Sequence, residues 1–225
     1  MRSLWLAVGS AVILFYSLAP FVWMLVSSIT PEAHSDASTP WMSGRAVTYL
    51  PAQPSLENYA SLFRDVPFQT FFRNSLIVAS GTMGLSLAVG SLGAYGFARF
   101  SFRGRGPLLA AVLLAYMLPS VVLLVPLLVL FRSYGLINTF PGLILAESTN
   151  SAPFVLLLMI NYISTLPREL EEAALVDGAG RLQTLWKIVI PLALPGLVAA
   201  ALFAFIAAWN NFLYAFLFAT SDSSK

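Results

Sequence analysis

Residues 171–191 read EEAALVDGAGRLQTLWKIVIP, a charge-bearing run set between two strongly apolar segments in the second half of the chain. A chain embedded in lipid exposes little water-facing backbone, so a polar loop of this length is expected to meet a soluble partner. Composition supplies the setting. The 225 residues are 58% apolar and 10% charged, with a mean hydropathy of +0.81. An average soluble domain carries roughly 25% charged residues, so these few could not cover a soluble fold. Apolar runs of about 20 residues, enough to cross a bilayer, recur along the chain. The expected class is all-α, a polytopic helical membrane protein. A net charge of +2 is too small to imply nucleic acid. The absence of cysteine excludes disulfides, thiol catalysis and thiolate metal sites.

Five crossings are predicted, at residues 4–29, 74–97, 107–131, 141–164 and 192–218, all in one transmembrane domain. The first is longer than the apolar core of a cleaved signal peptide, about 7–15 residues, and reads as an uncleaved span. An outer segment, 30–72, carries Pro31, Pro40, Pro51, Pro54 and Pro67. Within it, Leu56, Tyr59, Ala60 and Phe63 recur at helical spacing behind Ser55 as a cap. Pro119 and Pro126 are expected to kink the third span. Arg99, Arg103 and Arg105 crowd one short loop without an acid, and Arg2, Arg168, Arg181 and Lys187 fall on the same side. The short turn on the other side holds only Arg132. Short basic loops stay cytoplasmic, so the amino terminus and the loop 165–191 are expected inside.

That loop has its own punctuation. Leu166-Pro167-Arg168-Glu169 reads as a helix start, with proline in the first turn and acids at the positive end of the dipole. Gly178 and Gly180 are expected to stop the helix where a positive φ costs least. A second helical stretch, 181–190, is expected to put Leu182, Leu185, Trp186 and Val189 on one face, closed by Pro191 and Pro195. Ala173 and Ala174 have little bulk and could enter a cleft, while Glu172 and Asp177 could pair with basic groups on its wall. The residue chemistry alone fits equally a docking knob or an amphipathic pair lying on the membrane surface.

The spacing of these residues resembles the EAA loop of membrane subunits of binding-protein-dependent ABC importers. Glu172-Ala173-Ala174, then Gly178, Ile188, Ile190 and Pro191 meet that pattern, with Ile190 where leucine is usual. Asp177-Gly178-Ala179 and Pro195 fit its carbohydrate-uptake form. Residues 54–59 (PSLENY), 72–76 (FRNSL), 94–99 (AYGFAR) and 208–212 (AWNNF) also resemble maltose-type (MalG-like) permease subunits. The resemblance implies a type I importer permease (MetI-like) fold in the bacterial inner membrane. It further implies two ATPase subunits using ATP and Mg, a second, MalF-like permease and an extracytoplasmic solute-binding protein. In such proteins the EAA glutamate and its neighbours seat in a groove of the ATPase. The family normally adds a sixth core helix, so the five spans are expected to be a shortened set.

No phosphate-binding loop of the form G-x-x-x-x-G-K-[ST] is present, and neither Lys187 nor Lys225 follows a glycine. The chain is therefore expected to be non-catalytic, to bind no cofactor and to take its energy from a partner. Polar groups within spans are costly and point to function. Glu147, Asn150 and Ser151 are candidates to line a solute path, Glu147 lying roughly 9 Å into its span at 1.5 Å per residue. The alternative is that the span begins later and the run sits among headgroups. Asn210 and Asn211, beside Trp209, suit sugar hydroxyls and equally suit helix-to-helix bonds. Thr82 with Ser86, and Ala200, Ala204 and Ala208, read as close helix packing. His34 has no second ligand beside it, and no metal site is expected. The rival class is a secondary transporter or channel, which tends to use several buried ionisable groups or inverted repeats; a single candidate acid, Glu147, and no evident repeat disfavour it.

Overall fold

The computed structural model describes residues 2–30 and 54–219; His34, Arg45 and most of the outer segment's prolines lie outside the described residues. The chain divides into two compact units, residues 1–72 and 73–225. Every described element is helical or a turn, as the all-α expectation requires. Among the described residues, three helices are long and apolar enough to cross a membrane, or up to five spans are present if each of two bent pairs counts as one.

In the first unit, α1 (Arg2–Ser28) is predominantly apolar, and none of its most hydrophobic window is buried. Its terminal carbonyls need partners, as at any helix end. The Asn58 amide supplies them, donating to the carbonyls of Ser28 and Thr30 at 3.1 and 2.7 Å. Asn58 belongs to α2 (Glu57–Arg64), and the Tyr59 hydroxyl adds a 2.8 Å bond to Ser28 Oγ. The cap position of α2 falls to Leu56 rather than to Ser55, whose Oγ, one residue earlier, accepts from the Glu57 N–H at 3.1 Å.

The second unit is organised by three helices. α3 (Phe68–Arg99) has 32 residues, roughly 48 Å at 1.5 Å per residue, longer than a bilayer core of about 30 Å. It turns Thr82, Ser86, Gly90, Ala94 and Ala98 inward. α6 (Phe140–Thr165) buries Glu147, Ser151, Val155, Met159 and Ile163, and α10 (Leu194–Trp209) buries Gly196, Ala200, Ala204 and Ala208. Both seams run at strict i, i+4 spacing, one stripe along one helix face. Lipid tails are as apolar as leucine, so association in a membrane rests on close packing between small residues. A Cβ on Gly90 would stand 2.7 Å from Val155 Cγ1, and one on Gly196 within 2.6–2.9 Å of the Tyr162 ring. Phe154 of α6 stacks on Phe203 of α10, ring centroids 3.6 Å apart. The stripes read from the sequence as packing surfaces are packing surfaces.

The predicted third span is not one helix. α4 (Arg105–Met117) and α5 (Ser120–Ser133) meet at a 99° bend. Leu118 precedes proline and is extended (φ −68°, ψ 133°), the conformation that the Pro119 ring imposes on its neighbour. Pro126, inside α5, leaves that helix unbroken. The last predicted span is also divided. A 78° bend at Ala193 precedes α10, and Asn211, extended at φ −86° and ψ 101°, separates α10 from α11 (Phe212–Phe218). α11 buries Tyr214 and Phe218 with Leu124 and Phe131 of α5 and Ala146 of α6. The Phe218 carbonyl accepts from the Asn138 N–H at 2.9 Å.

If the seams carry the fold, Gly90→Leu should destabilise the purified chain by about 1–3 kcal/mol through overpacking. Gly84→Ala, on the same helix with nothing within 4 Å of the added carbon, should be neutral. Thermal unfolding of both variants in one detergent checks the contrast.

Candidate functional site

The loop between α6 and α10 folds as two short helices about an elbow, as its punctuation predicts. α7 (Glu169–Val176) carries Glu169, Glu171 and Glu172 in its first turn, where acids complement the helix dipole. It stops in a Schellman arrangement. The Ala179 N–H bonds to the Ala174 carbonyl at 2.9 Å and the Gly178 N–H to the Leu175 carbonyl at 3.1 Å. This closure needs a left-handed residue after the cap, and Gly178 supplies it at φ 86°. Gly180 does not share that role. It is extended (φ −73°, ψ 159°) and opens the next helix, α8 (Arg181–Thr184).

α8 continues through a π-helical turn, Leu185–Val189, into α9 (Ile190–Leu192). The expected single apolar face is split. Leu185 and Val189 are buried, whereas Leu182 and Trp186 are 66% and 59% exposed. A π turn holds more residues per turn than an α turn, so the 3.6-residue template loses register there. Thr184, 1% exposed, joins the buried side.

Burial sorts the motif residues. Glu172, Ala173, Asp177, Gly178 and Pro191 are exposed, and Ala179, Ile188 and Ile190 are half-buried. Ala174 turns inward at 9% exposure, so the two alanines do not share an outer face. The neighbour that the sequence reading passed over, Glu171, is buried beside Ala174. Its Oε1 accepts from Arg99 Nε at 2.5 Å and its Oε2 from the Tyr95 hydroxyl at 3.2 Å. Arg99 Nη2 also reaches the Leu166 carbonyl at 3.1 Å, and Arg168 Nη2 the Ala98 carbonyl at 3.3 Å. The end of α3 is thereby pinned to both sides of the α6–α7 junction. One signal was available: Glu171 and Ala174 lie three apart on one helix face.

The intramembrane candidates divide similarly. Glu147 is 2% exposed, and Asn211 Nδ2 donates to its Oε2 at 2.9 Å. That bond ties the extended break between α10 and α11 to α6. Ser151 is buried, its hydroxyl turned to the Glu147 carbonyl at 3.4 Å, and Asn150 is half-buried. Asn210 stands apart, exposed, with Nδ2 donating to the Ile206 carbonyl of its own helix at 2.9 Å. Replacing Asn211 with leucine removes the donor and leaves Glu147 buried without it, which should cost about 1–3 kcal/mol. Asn211→Leu combined with Glu147→Leu should recover most of that loss. Thermal unfolding of the single and double variants measures the coupling.

With this geometry in hand, comparison with known proteins is informative. A family model described as "Binding-protein-dependent transport system inner membrane component" matches residues 82–222. The chain is similar to the sulfoquinovosyl glycerol transport system permease protein SmoH of Agrobacterium fabrum, 34% identical over 218 residues, covering 97% of this chain and 74% of that one. It is also similar to the trehalose/maltose transport system permease protein MalG of Thermococcus litoralis, 32% identical over 227 residues, covering 100% and 78%. Among solved structures, a chain of a bacterial ABC transporter involved in the import of the acidic polysaccharide alginate superposes with a TM-score of 0.82 at 25% identity, covering 98% of this chain and 75% of that one. The match covers well over half the chain, and relatives above 30% identity cover nearly all of it: the chain belongs to the inner-membrane component family of binding-protein-dependent transport systems.

Proposed function

We propose that this chain is one of two permease subunits in an ATP-driven importer of a di- or oligosaccharide, and that residues 165–191 are the surface on which a partner ATPase docks. The observation that carries the docking reading is the two-sidedness of α7. Its inner face is fixed by Glu171 and Ala174, while Glu172, Ala173 and Asp177 stand in solvent beside the elbow. A helix of eight residues would be marginal by itself, and here the closure at Gly178 and the buried bonds of Glu171 hold it. A push on its outer face therefore reaches the helices behind it.

The division of labour follows from chemistry. This chain holds no phosphate-binding loop, so ATP and Mg belong to the partner ATPases, two in the expected assembly. A second permease and an extracytoplasmic solute-binding protein complete it. Sugar cargo is supported by the carbohydrate permeases among the relatives, such as the trehalose/maltose protein. The short basic loops support a cytoplasmic position for residues 165–191 and the amino terminus. In this reading the solute path runs past Asn150 and Asn210, while Glu147, Ser151 and Asn211 set the bend of α11 along it.

Glu172→Lys reverses the charge offered to the ATPase, and Gly178→Asp puts a side chain on a left-handed residue at the elbow. Both variants should reach the membrane at the parental level and lose co-purification with the ATPase. Undiminished co-purification in both would reject the docking role.

A further inference from the structure

The docking loop is joined through the chain to α6 on one side and α10 on the other, and to nothing else. α3 lies some seventy residues away in sequence, the separation between Arg99 and Glu171 being 72. We propose that the Arg99–Glu171 pair is a mechanical clamp that makes the end of α3 move as one body with α7, so that ATPase closure drives α3 as well as α6 and α10. The inference rests on residues 165–191 being the docking surface.

Four contacts converge on the clamp. Glu171 receives Arg99 on one oxygen and Tyr95 on the other, using two positions one helical turn apart on α3. Arg99 continues to the Leu166 carbonyl at the end of α6, and Arg168 returns to the Ala98 carbonyl. The contacts run in both directions between the two segments, so sliding or rotation of α7 against α3 breaks several at once. The Arg99 and Glu171 side chains are only 4% and 8% exposed, where water neither screens nor replaces the pair. Directional bonds between planar groups also fix orientation in a way that apolar contact does not.

Stability alone is a poor account of such a pair. A buried ion pair is often no more stabilising than well-packed apolar residues of similar volume. The apolar alternative was structurally at hand, since Ala98, Val155, Met159, Ile163, Leu185 and Val189 form the adjoining core. What the ionic pair adds to the Arg168–Ala98 bond is registry through charged, directional groups buried at the contact itself. Its place on α7 suits the task. The outer face of that helix receives the motor, and the inner face, one residue away, holds α3.

The chain contains no cysteine, so spin labels can be placed without background, at Val89→Cys on α3 and Leu170→Cys on α7, positions 54% and 45% exposed. The labelled permease, assembled with its second permease and ATPases in lipid nanodiscs, is measured by pulsed electron resonance without nucleotide and after trapping with ATP and vanadate. One unchanged distance in both states is expected with the clamp intact. In Arg99→Gln/Glu171→Gln, which leaves no single charge stranded, trapping should shift or split the distance. Glu171→Asp keeps the charge and shortens its reach; it should give a smaller shift and serves if the first variant does not fold. A distance that already changes in the parent, or stays single in the folded clamp variants, overturns the proposal. Glu172→Lys in the same labelled background separates the two readings. ATPase lost there, with an unshifted distance in the clamp variants, defeats the clamp alone; ATPase retained there defeats the docking role beneath it.

Discussion

Close approach between helices that share a lipid solvent is the constraint on which this structure depends. Within a bilayer, apolar surface gains little by leaving lipid for another apolar surface, so helices must fit rather than merely be greasy. The chain meets this with Gly90, Gly196, Ala200, Ala204 and Ala208, whose small size lets Val155 and the Tyr162 ring come to contact distance. Larger side chains point outward, as Val89, Leu92, Leu202 and Ile206 do. At these seams small residues lie within and bulky ones face the surroundings, while Met159, Ile163, Tyr214 and Phe218 fill the interior beyond them.

Once three helices are fixed side by side, the places where helices fail become informative. A broken helix frees polar main-chain groups, which are tolerated at membrane depth only where protein or water satisfies them. At the α10–α11 break the neighbouring asparagines work on opposite sides. Asn210 answers a carbonyl of its own helix, and Asn211 reaches across to Glu147. The 99° bend at Leu118–Pro119 has a different origin, a local steric rule acting on the residue before proline. One break is held by a partner helix and the other is written into a dipeptide.

That contrast explains what the sequence disclosed. Hydrophobic length and helical period located the long helices, and the alanine stripe and the Thr82–Ser86 pair were legible as packing faces because spacing alone decides them. The left-handed Gly178 was legible from turn chemistry, and so was a helix start near residue 167, although Pro167 stands one residue before the cap Arg168 rather than in the first helical position. The severity of the bend at Pro119 was not, because a proline can kink a helix, as Pro126 shows it need not, or end it. Leu182 and Trp186 were placed on the wrong face because a wide turn is invisible to a fixed period. Glu171 was hidden for a deeper reason. It stands beside Glu172 in the chain, and only the position of Arg99, brought from another helix, decides which of the two faces inward. Of the solute-path candidates, sequence offered two separate polar runs; folding joined them through Glu147 and Asn211 and left Asn210 exposed.

The elbow after α7 has one more implication. Its reversal is closed by two amide-to-carbonyl bonds and a single glycine torsion, with no outward side chain taking part. The letters displayed at Glu172, Ala173 and Asp177 can therefore be rewritten without disturbing the hairpin that displays them. An engineer wishing to retarget this surface to a foreign counterpart would leave Gly178 alone and vary only what it presents.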